Sequence, residues 1–324
     1  MRALEAFMAK TGGPEVIEWR EVDLPAPGPG EVLLRHEAIG LNYIDTYFRN
    51  GLYPAQLPVG LGMEAAGVIE AVGEGVIDFA PGDRVAYAGA LGAYSTARIV
   101  PAAVLFALPD TIDSRTAAAA LLKGSTTEFL AERCAPVAAG EWALVPAAAG
   151  GVGLLLVQWL AARGVRVIAV VGSEAKLALA SEAGAELALL MDDADLVAKV
   201  RETTGGAGVA VSYDGVGAAT WELSLKSLRP RGTLVSFGNA SGPITGVNLS
   251  ILASHGSLYV TRPTMGDYYR DPAERAAGAA KLWDMIASGK VRVTIGQTYP
   301  LRDAAEAHRD LEARRTTGST LLIP

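Results

Sequence analysis

A chain of 324 residues, 50% hydrophobic and 19% charged, is too long for one ordinary core; a folded protein of two domains is expected and disorder is excluded. Its net charge of −7 gives no electrostatic basis for nucleic acid binding, and no apolar run reaches membrane-spanning length. Cys134 is the only cysteine, so an intrachain disulfide and a multi-cysteine zinc site are both excluded.

The opening "MRALEAFMAK" has no long apolar region and no small-residue cleavage site, which predicts a cytoplasmic location. Residues up to about 120 read as β. Glu31–Ala38, Ala65–Val72 and Arg84–Ala88 are short, rich in Val, Ile and Ala, and separated by the turn clusters "PAPGPGE", "GEGV" and "APGDRV". From about 122 the period changes, and strand-like runs alternate with helical stretches. The expected pairs are Ala143–Pro146 with Val152–Arg163, Val165–Val171 with Glu174–Ala183, Leu187–Leu190 with Ala194–Thr203, and Val209–Asp214 with Ala218–Leu228, followed by a strand at Thr233–Phe237. Gly164, Gly184 and Gly205 fall where helices should end. Strands apolar on both faces, alternating with helices, indicate an α/β fold with a doubly wound parallel sheet. After "GSLYVTRP" a helix is expected at about Pro272–Gly289, then the strand-like "QTYPL" and "TGSTLLIP".

Ala148, Gly150 and Gly153 stand at the spacing G-x-G-x-x-G, with alanine in the first place, after a strand and before a helix. Glycine there lets a pyrophosphate approach the main chain, and the helix N-terminus offers it unpaired N–H groups. Ala149, Gly150, Gly151 and Val152 are therefore candidate dinucleotide contacts. The next strand ends in "VVGSEAK". An acidic residue at its tip would suit a free ribose 2′-hydroxyl. Gly172 and Ser173 instead leave room, and Lys176 supplies charge for a 2′-phosphate, so NADPH is expected, although Glu174 argues the other way.

Taken in order, "AIGLNYIDTYFRNGLYP", "GLGMEAAGVIEAVGEGV", "PGDRV", "AAAGGVG" and "YDGVG" resemble the medium-chain dehydrogenase/reductase superfamily. With "LGAYS", "SFGNASGPITGVNL", "GSLYVTRP" and "TGSTLLIP", the chain is similar to the zinc-independent NADPH:quinone oxidoreductases over nearly its whole length. The resemblance implies a GroES-like β-rich catalytic domain in residues 1–121, a Rossmann domain in 122–262, and a segment 263–324 that returns to the catalytic domain. It also implies a coenzyme in the cleft between the domains, a quinone or related electrophile as acceptor, and a homodimer joined through Rossmann-domain strands, with "SLYVTRP" at the seam.

The resemblance places Asn42, Tyr43, Ile44, Asp45 and Thr46 beside the nicotinamide. Asn42 and Tyr47 are the expected orienting donors, with Tyr43 and Tyr53 as walls against a flat acceptor. Lys123 and Thr126 are expected on the nicotinamide side; Phe237, Gly238, Asn239 and Ala240, and Val260, Thr261 and Arg262, are expected to approach the coenzyme, and Arg314 matches a position near its phosphate end. No metal is expected. Met63 stands where the alcohol dehydrogenase branch has a zinc-ligand histidine, Glu64 reads as structural, and His36, His255 and His308 form no ligand-like pair. Met191 and Asp192, and Gly215 where a serine is common, depart from the pattern and predict fewer adenosine contacts. Two other functions share these features: an enoyl or α,β-unsaturated carbonyl reductase, and a redox-inactive NADPH-binding structural or RNA-binding protein of the crystallin kind.

Overall fold

The computed structural model describes all residues from Met1 to Pro324. They divide into one unit made of Met1–Leu122 with Ile295–Pro324 and a second made of Lys123–Thr294.

The first unit is β-rich and antiparallel, except that Ile295–Pro300 runs parallel to Ser319–Ile323. Glu31–Leu41 is its central strand, pairing with Glu64–Val72, Ala97–Pro101 and Ser319–Ile323. The larger sheet runs in the order Ile295–Pro300, Ser319–Ile323, Glu31–Leu41, Glu64–Val72, Arg84–Ala88, Phe106–Ala107; a smaller sheet pairs Arg2–Met8 with Glu18–Asp23 and Val59–Gly60. Leu34, Ile39, Ile69, Tyr87, Tyr94 and Leu322 meet in the core that these strands enclose.

The second unit is a six-stranded, all-parallel sheet. Its order is Leu187–Leu190, Arg166–Val171, Trp142–Pro146, Val209–Asp214, Leu228–Ser236, Tyr259–Thr261. Numbered along the chain, that order is 3-2-1-4-5-6, the Rossmann arrangement. Leu144, Ile168 and Val170 of the strands pack with Val200 and Leu225 of the helices. Gly164, Gly184 and Gly205 have φ of +75°, +106° and +64° and end their helices in the left-handed conformation, as their spacing predicts.

Three features depart from the sequence reading. Residues Tyr43–Asn50, within the stretch read as β, form a helix. Asn42 caps it, Asp45 returns its carboxylate to the Asn42 N–H at 2.9 Å, and Gly51 at φ +84° ends it. The stretch read as β up to 120 already contains the start of a helix, Ser114–Phe129. The chain re-enters the first unit at Ile295 rather than 263. The intervening helix Pro272–Ala287 packs in the second unit, where a Cβ on Gly124 would lie only 2.4 Å from the Leu282 side chain.

Two buried histidines hold opposite tautomers. His36 Nδ1 lies 2.7 Å from the Ser95 carbonyl, which only accepts, so Nδ1 carries the proton and Nε2 accepts from Tyr87 Oη at 3.2 Å. His308 Nδ1 lies 2.9 Å from Arg49 Nη1, which only donates, so its proton sits on Nε2. Burial, reinforced by Arg98 beside His36 and Arg49 beside His308, pushes both down to about 3. A folded value below the unfolded 6.5 means that the unfolded chain binds more protons. Each histidine's contribution is complete above pH 6.5 and is lost as pH falls towards 3, at about 1.4 kcal/mol per pH unit. Urea melts between pH 6 and 4.5 should therefore show a slope shallower by about this amount in His36→Gln than in the parent chain. Equal slopes would mean that the folded protein protonates His36 normally.

Candidate functional site

In the second unit, the strand Trp142–Pro146 lies between Arg166–Val171 and Val209–Asp214, where the strand order reverses. A crevice opens outside the carboxyl ends of the strands at such a point. Ala147, immediately after the strand, holds φ +56°, which strains an alanine by about 1–2 kcal/mol. The Ala148 N–H donates to the Val170 carbonyl at 3.1 Å and the Gly150 N–H to that of Ala147 at 3.0 Å. The helix Gly151–Ala162 begins here with Gly150 as its N-cap, no side-chain cap and no acidic residue in its first turn. Its leading N–H groups have no partner within the helix, and they carry the positive end of its dipole.

The two glycines of the turn serve different ends. A Cβ on Gly153 would lie 2.3 Å from the Ala147 oxygen and 2.7 Å from Ala148 Cα, so Gly153 lets helix and turn pack. At Gly150 a Cβ would meet only the Ala147 oxygen, at 3.3 Å, within its own unit. The Gly150 backbone, at φ −82°, is open to any residue, and the Ala147 oxygen would have to give only slightly to admit a Cβ. Together with the uncapped amides, the turn fits a diphosphate, and Gly150, Gly151 and Val152 are the residues that would hold it. A Cβ on Gly172 would meet nothing in its unit within 4 Å. Beside it lie exposed Ser173 and half-buried Lys176, which closes the turn Glu174–Lys176.

The loops after the next two strands interlock. Asp214, fully buried, accepts from the Val216 and Gly217 N–H groups at 2.8 and 3.1 Å, Thr220 Oγ1 at 2.8 Å and Ser224 Oγ at 2.8 Å. The Phe237 N–H donates to the Asp214 carbonyl, and that of Ser241 to Val216, both at 2.8 Å. A Cβ on Gly215 would lie 2.9 Å from the Phe237 ring, so the departure at 215 is matched by the aromatic ring at 237. A Cβ on Gly238 would lie 2.2 Å from the Gly215 oxygen. Asn239 and Ala240 follow, half buried. Arg262 Nη1 donates to the Ser236 and Gly238 carbonyls, both at 2.9 Å, and ties the edge strand carrying Val260 and Thr261 to this loop. Met191, half buried, packs on the apolar core of this unit.

In the first unit, Asn42 Nδ2 donates to Glu64 Oε1 at 2.7 Å and to the Gly40 carbonyl at 3.3 Å. Both amide protons thereby have partners within the first unit, and Asn42 organises the helix start. Buried Glu64 also accepts from the Leu122 N–H at 2.8 Å, which makes it structural as expected. The helix Tyr43–Asn50 carries Ile44, half buried, and Asp45 and Thr46, both buried. Tyr43, Tyr47 and Tyr53 form a connected aromatic wall, with centroids 5.7 and 5.1 Å apart. Burial and the Glu312 charge raise the Tyr43 hydroxyl above its ordinary 10, opposed by Arg314 and Arg49. Arg314, at φ +60°, thus stands near Tyr43 in this unit. Lys123, buried, and Thr126, half buried, lie three residues apart on the helix Ser114–Phe129 and so share a face. Glu128 just beyond is held by Arg133 and Tyr269, at 2.8 and 2.7 Å.

Sequence reasoning passed over Arg49, Tyr94, His308 and Glu312, which join in one buried network behind the tyrosines. The available signal was His308 itself, which shares the core-facing side of its helix with Ala304 and Ala307. No group of three or more His, Cys, Asp or Glu side chains could hold a metal ion, and Met63 is buried. No helix is long and apolar enough to cross a membrane.

Comparison with known proteins agrees with this geometry. Residues 28–110 match the alcohol dehydrogenase GroES-like domain, and residues 151–280 the zinc-binding dehydrogenase domain. A quinone oxidoreductase of Pseudomonas aeruginosa is 52% identical over 98% of both chains. A crystal structure of Escherichia coli quinone oxidoreductase complexed with NADPH superposes with a TM-score of 0.96 at 46% identity, covering 99% of this chain and 100% of that one. A 2-haloacrylate reductase of Burkholderia sp. is 39% identical over 99% of both. The chain therefore belongs to the quinone oxidoreductase family, built on the GroES-like and Rossmann scaffold of the medium-chain dehydrogenases and reductases.

Proposed function

We propose that this protein is an NADPH:quinone oxidoreductase that needs no zinc. The observation that carries the reading is the uncapped helix start at Gly150–Gly151, left open at the switch point of a parallel sheet. The family's printed activities supply the acceptor class. Bound NADPH supplies the hydride. The second unit's part is to bind. Main-chain N–H groups of Gly151 and Val152 take the diphosphate beside Gly150, whose own N–H is held by the Ala147 carbonyl, and Gly172, Ser173 and Lys176 take the 2′-phosphate. Asp214 and Arg262 keep the loops carrying Gly215 and Phe237–Ala240 in place for the rest of the dinucleotide.

The first unit's part is to receive a flat acceptor and to supply protons to its oxygens. Tyr43, Tyr47 and Tyr53 form the apolar wall. Tyr43, raised above its ordinary range, stays protonated and remains a donor as negative charge develops on the acceptor. Asn42 sets where the helix begins. The same groups would serve an α,β-unsaturated carbonyl, and the similarity to a 2-haloacrylate reductase favours that as the second reading. The active form is a homodimer, supported by the edge strand Tyr259–Thr261, in which Tyr259 is 61% exposed and Val260 39%. The location is cytoplasmic, among soluble coenzyme.

Loss of NADPH absorbance over a panel of quinones and enones separates these readings. Turnover of quinones with none of enones is expected; enone turnover alone selects the second reading, and coenzyme binding without any turnover sinks both. In fluorescence titrations, Gly150→Ala should weaken NADPH binding by about tenfold while moving the melting temperature much less than Gly153→Ala does, whose Cβ would lie 2.3 Å from the Ala147 oxygen. Lys176→Ala should harm NADPH binding more than NADH binding; equal losses would remove Lys176 from the 2′-phosphate site. Sedimentation equilibrium should return twice the chain mass, and a monomer at micromolar concentration would leave the edge strand without its partner.

A further inference from the structure

A buried hydrogen-bond chain runs from the C-terminal helix Ala304–Glu312 to the start of the helix Tyr43–Asn50, wholly within the first unit. Arg49 is 2% exposed, and its Nη1 and Nη2 grip Glu312 at 3.0 and 2.6 Å while Nε donates to the Gly12 carbonyl at 3.1 Å. Nη1 also donates to His308 Nδ1 at 2.9 Å. A guanidinium cannot accept, so His308 is neutral with its proton on Nε2. Nε2 lies 3.0 Å from Tyr94 Oη and donates to it. The Tyr94 proton is left for Asp45 Oδ2, 2.9 Å away. The same oxygen accepts from the Asn42 N–H at 2.9 Å. Along the branch from Arg49 Nη1 through His308 and Tyr94, each donor points towards Asp45, because the guanidinium at its start cannot accept.

That sense matters for the site. Asp45 is the third residue of the helix whose first and fifth residues are Tyr43 and Tyr47. We propose that Tyr94 and His308 are positioning residues: their one-way relay from Arg49 to Asp45 fixes the register of this helix and thereby aims Tyr43 and Tyr47 at the acceptor. The aiming role rests on the quinone reductase reading, whereas the anchoring of the helix does not. Burial supports the relay, because it keeps the Tyr94 hydroxyl protonated well above its ordinary range and available as a donor. Removing Tyr94 Oη strips His308 Nε2 of its acceptor, and removing His308 takes that donor from Tyr94; either change breaks the connection to Asp45, so the two links act as a unit.

The test uses Tyr94→Phe, which keeps the ring, together with His308→Gln and the double variant, each checked by its thermal melt. In either single variant, amide hydrogen exchange of residues 43–50 should quicken about tenfold, the scale of one lost buried hydrogen bond. Quinone kcat should fall about tenfold, with the NADPH dissociation constant changed less than twofold. The double variant should lose no more than the worse single one, because a broken chain cannot be broken twice. Unchanged exchange in both single variants, or kinetic losses that multiply to about a hundredfold in the double variant, would overturn the relay. Faster exchange with unaltered kcat would overturn the aiming role. If the parent chain turned over no quinone, the quinone reading would fail, while the exchange experiment would still decide the anchoring.

Discussion

A helix that starts on glycine leaves its first amides bare, and the second unit is arranged around that fact. A glycine N-cap is only about 0.3 kcal/mol worse than a side-chain cap, so Gly150 bares the amides at small cost. The strained φ of Ala147 adds to that cost. Both sit at the end of the central strand, where the sheet reverses its order, and the surrounding fold holds them in place. Strain of this kind persists where structure overdetermines it, and the loops braced by Asp214 and Arg262 form the adjacent part of the same sheet end. Gly153 makes the arrangement possible by letting the helix close onto the turn.

The first unit solves the complementary problem of presenting hydroxyls in an apolar setting. Buried polar groups are costly unless each finds a partner. Here the partners come from distant parts of the chain: Asn42 meets Glu64, Tyr94 meets Asp45, and Arg49 meets His308 and Glu312. Groups partnered in this way hold the scaffold. Asn42 shows this most clearly: its residue type suggests a donor to substrate, and its position uses that donor to begin a helix. The tyrosines are what such a scaffold can present.

Much of the architecture was legible in advance. The strands Leu187–Leu190 and Val209–Asp214 have the bounds that their apolar runs predict, because a strand buried on both faces is a continuous hydrophobic segment. The helix ends at Gly164, Gly184 and Gly205 were readable because left-handed caps favour glycine. Less was legible around residue 43. "NYIDTYFRN" buries Asp45, Thr46 and Arg49 where a core-facing helix would ordinarily carry aliphatic residues, and its helix depends on a cap and on packing behind it, so no helix was expected there. The re-entry at Ile295 was equally hidden, since the seat for Leu282 is the missing side chain of Gly124, far away in sequence.

By itself the sequence determined the alternation of strands and helices, the glycine turn that invites a dinucleotide, and the lack of cysteine ligands, because these are local patterns of residue type and spacing. Only the tertiary structure decided which glycine packs and which leaves space, that the amide of Asn42 has partners within its unit, and that Arg49 reaches His308 across 259 positions. Those outcomes depend on which atoms finally stand within about 3 Å of one another, and hydrogen bonds at that range are made by the folded chain rather than by neighbours in sequence.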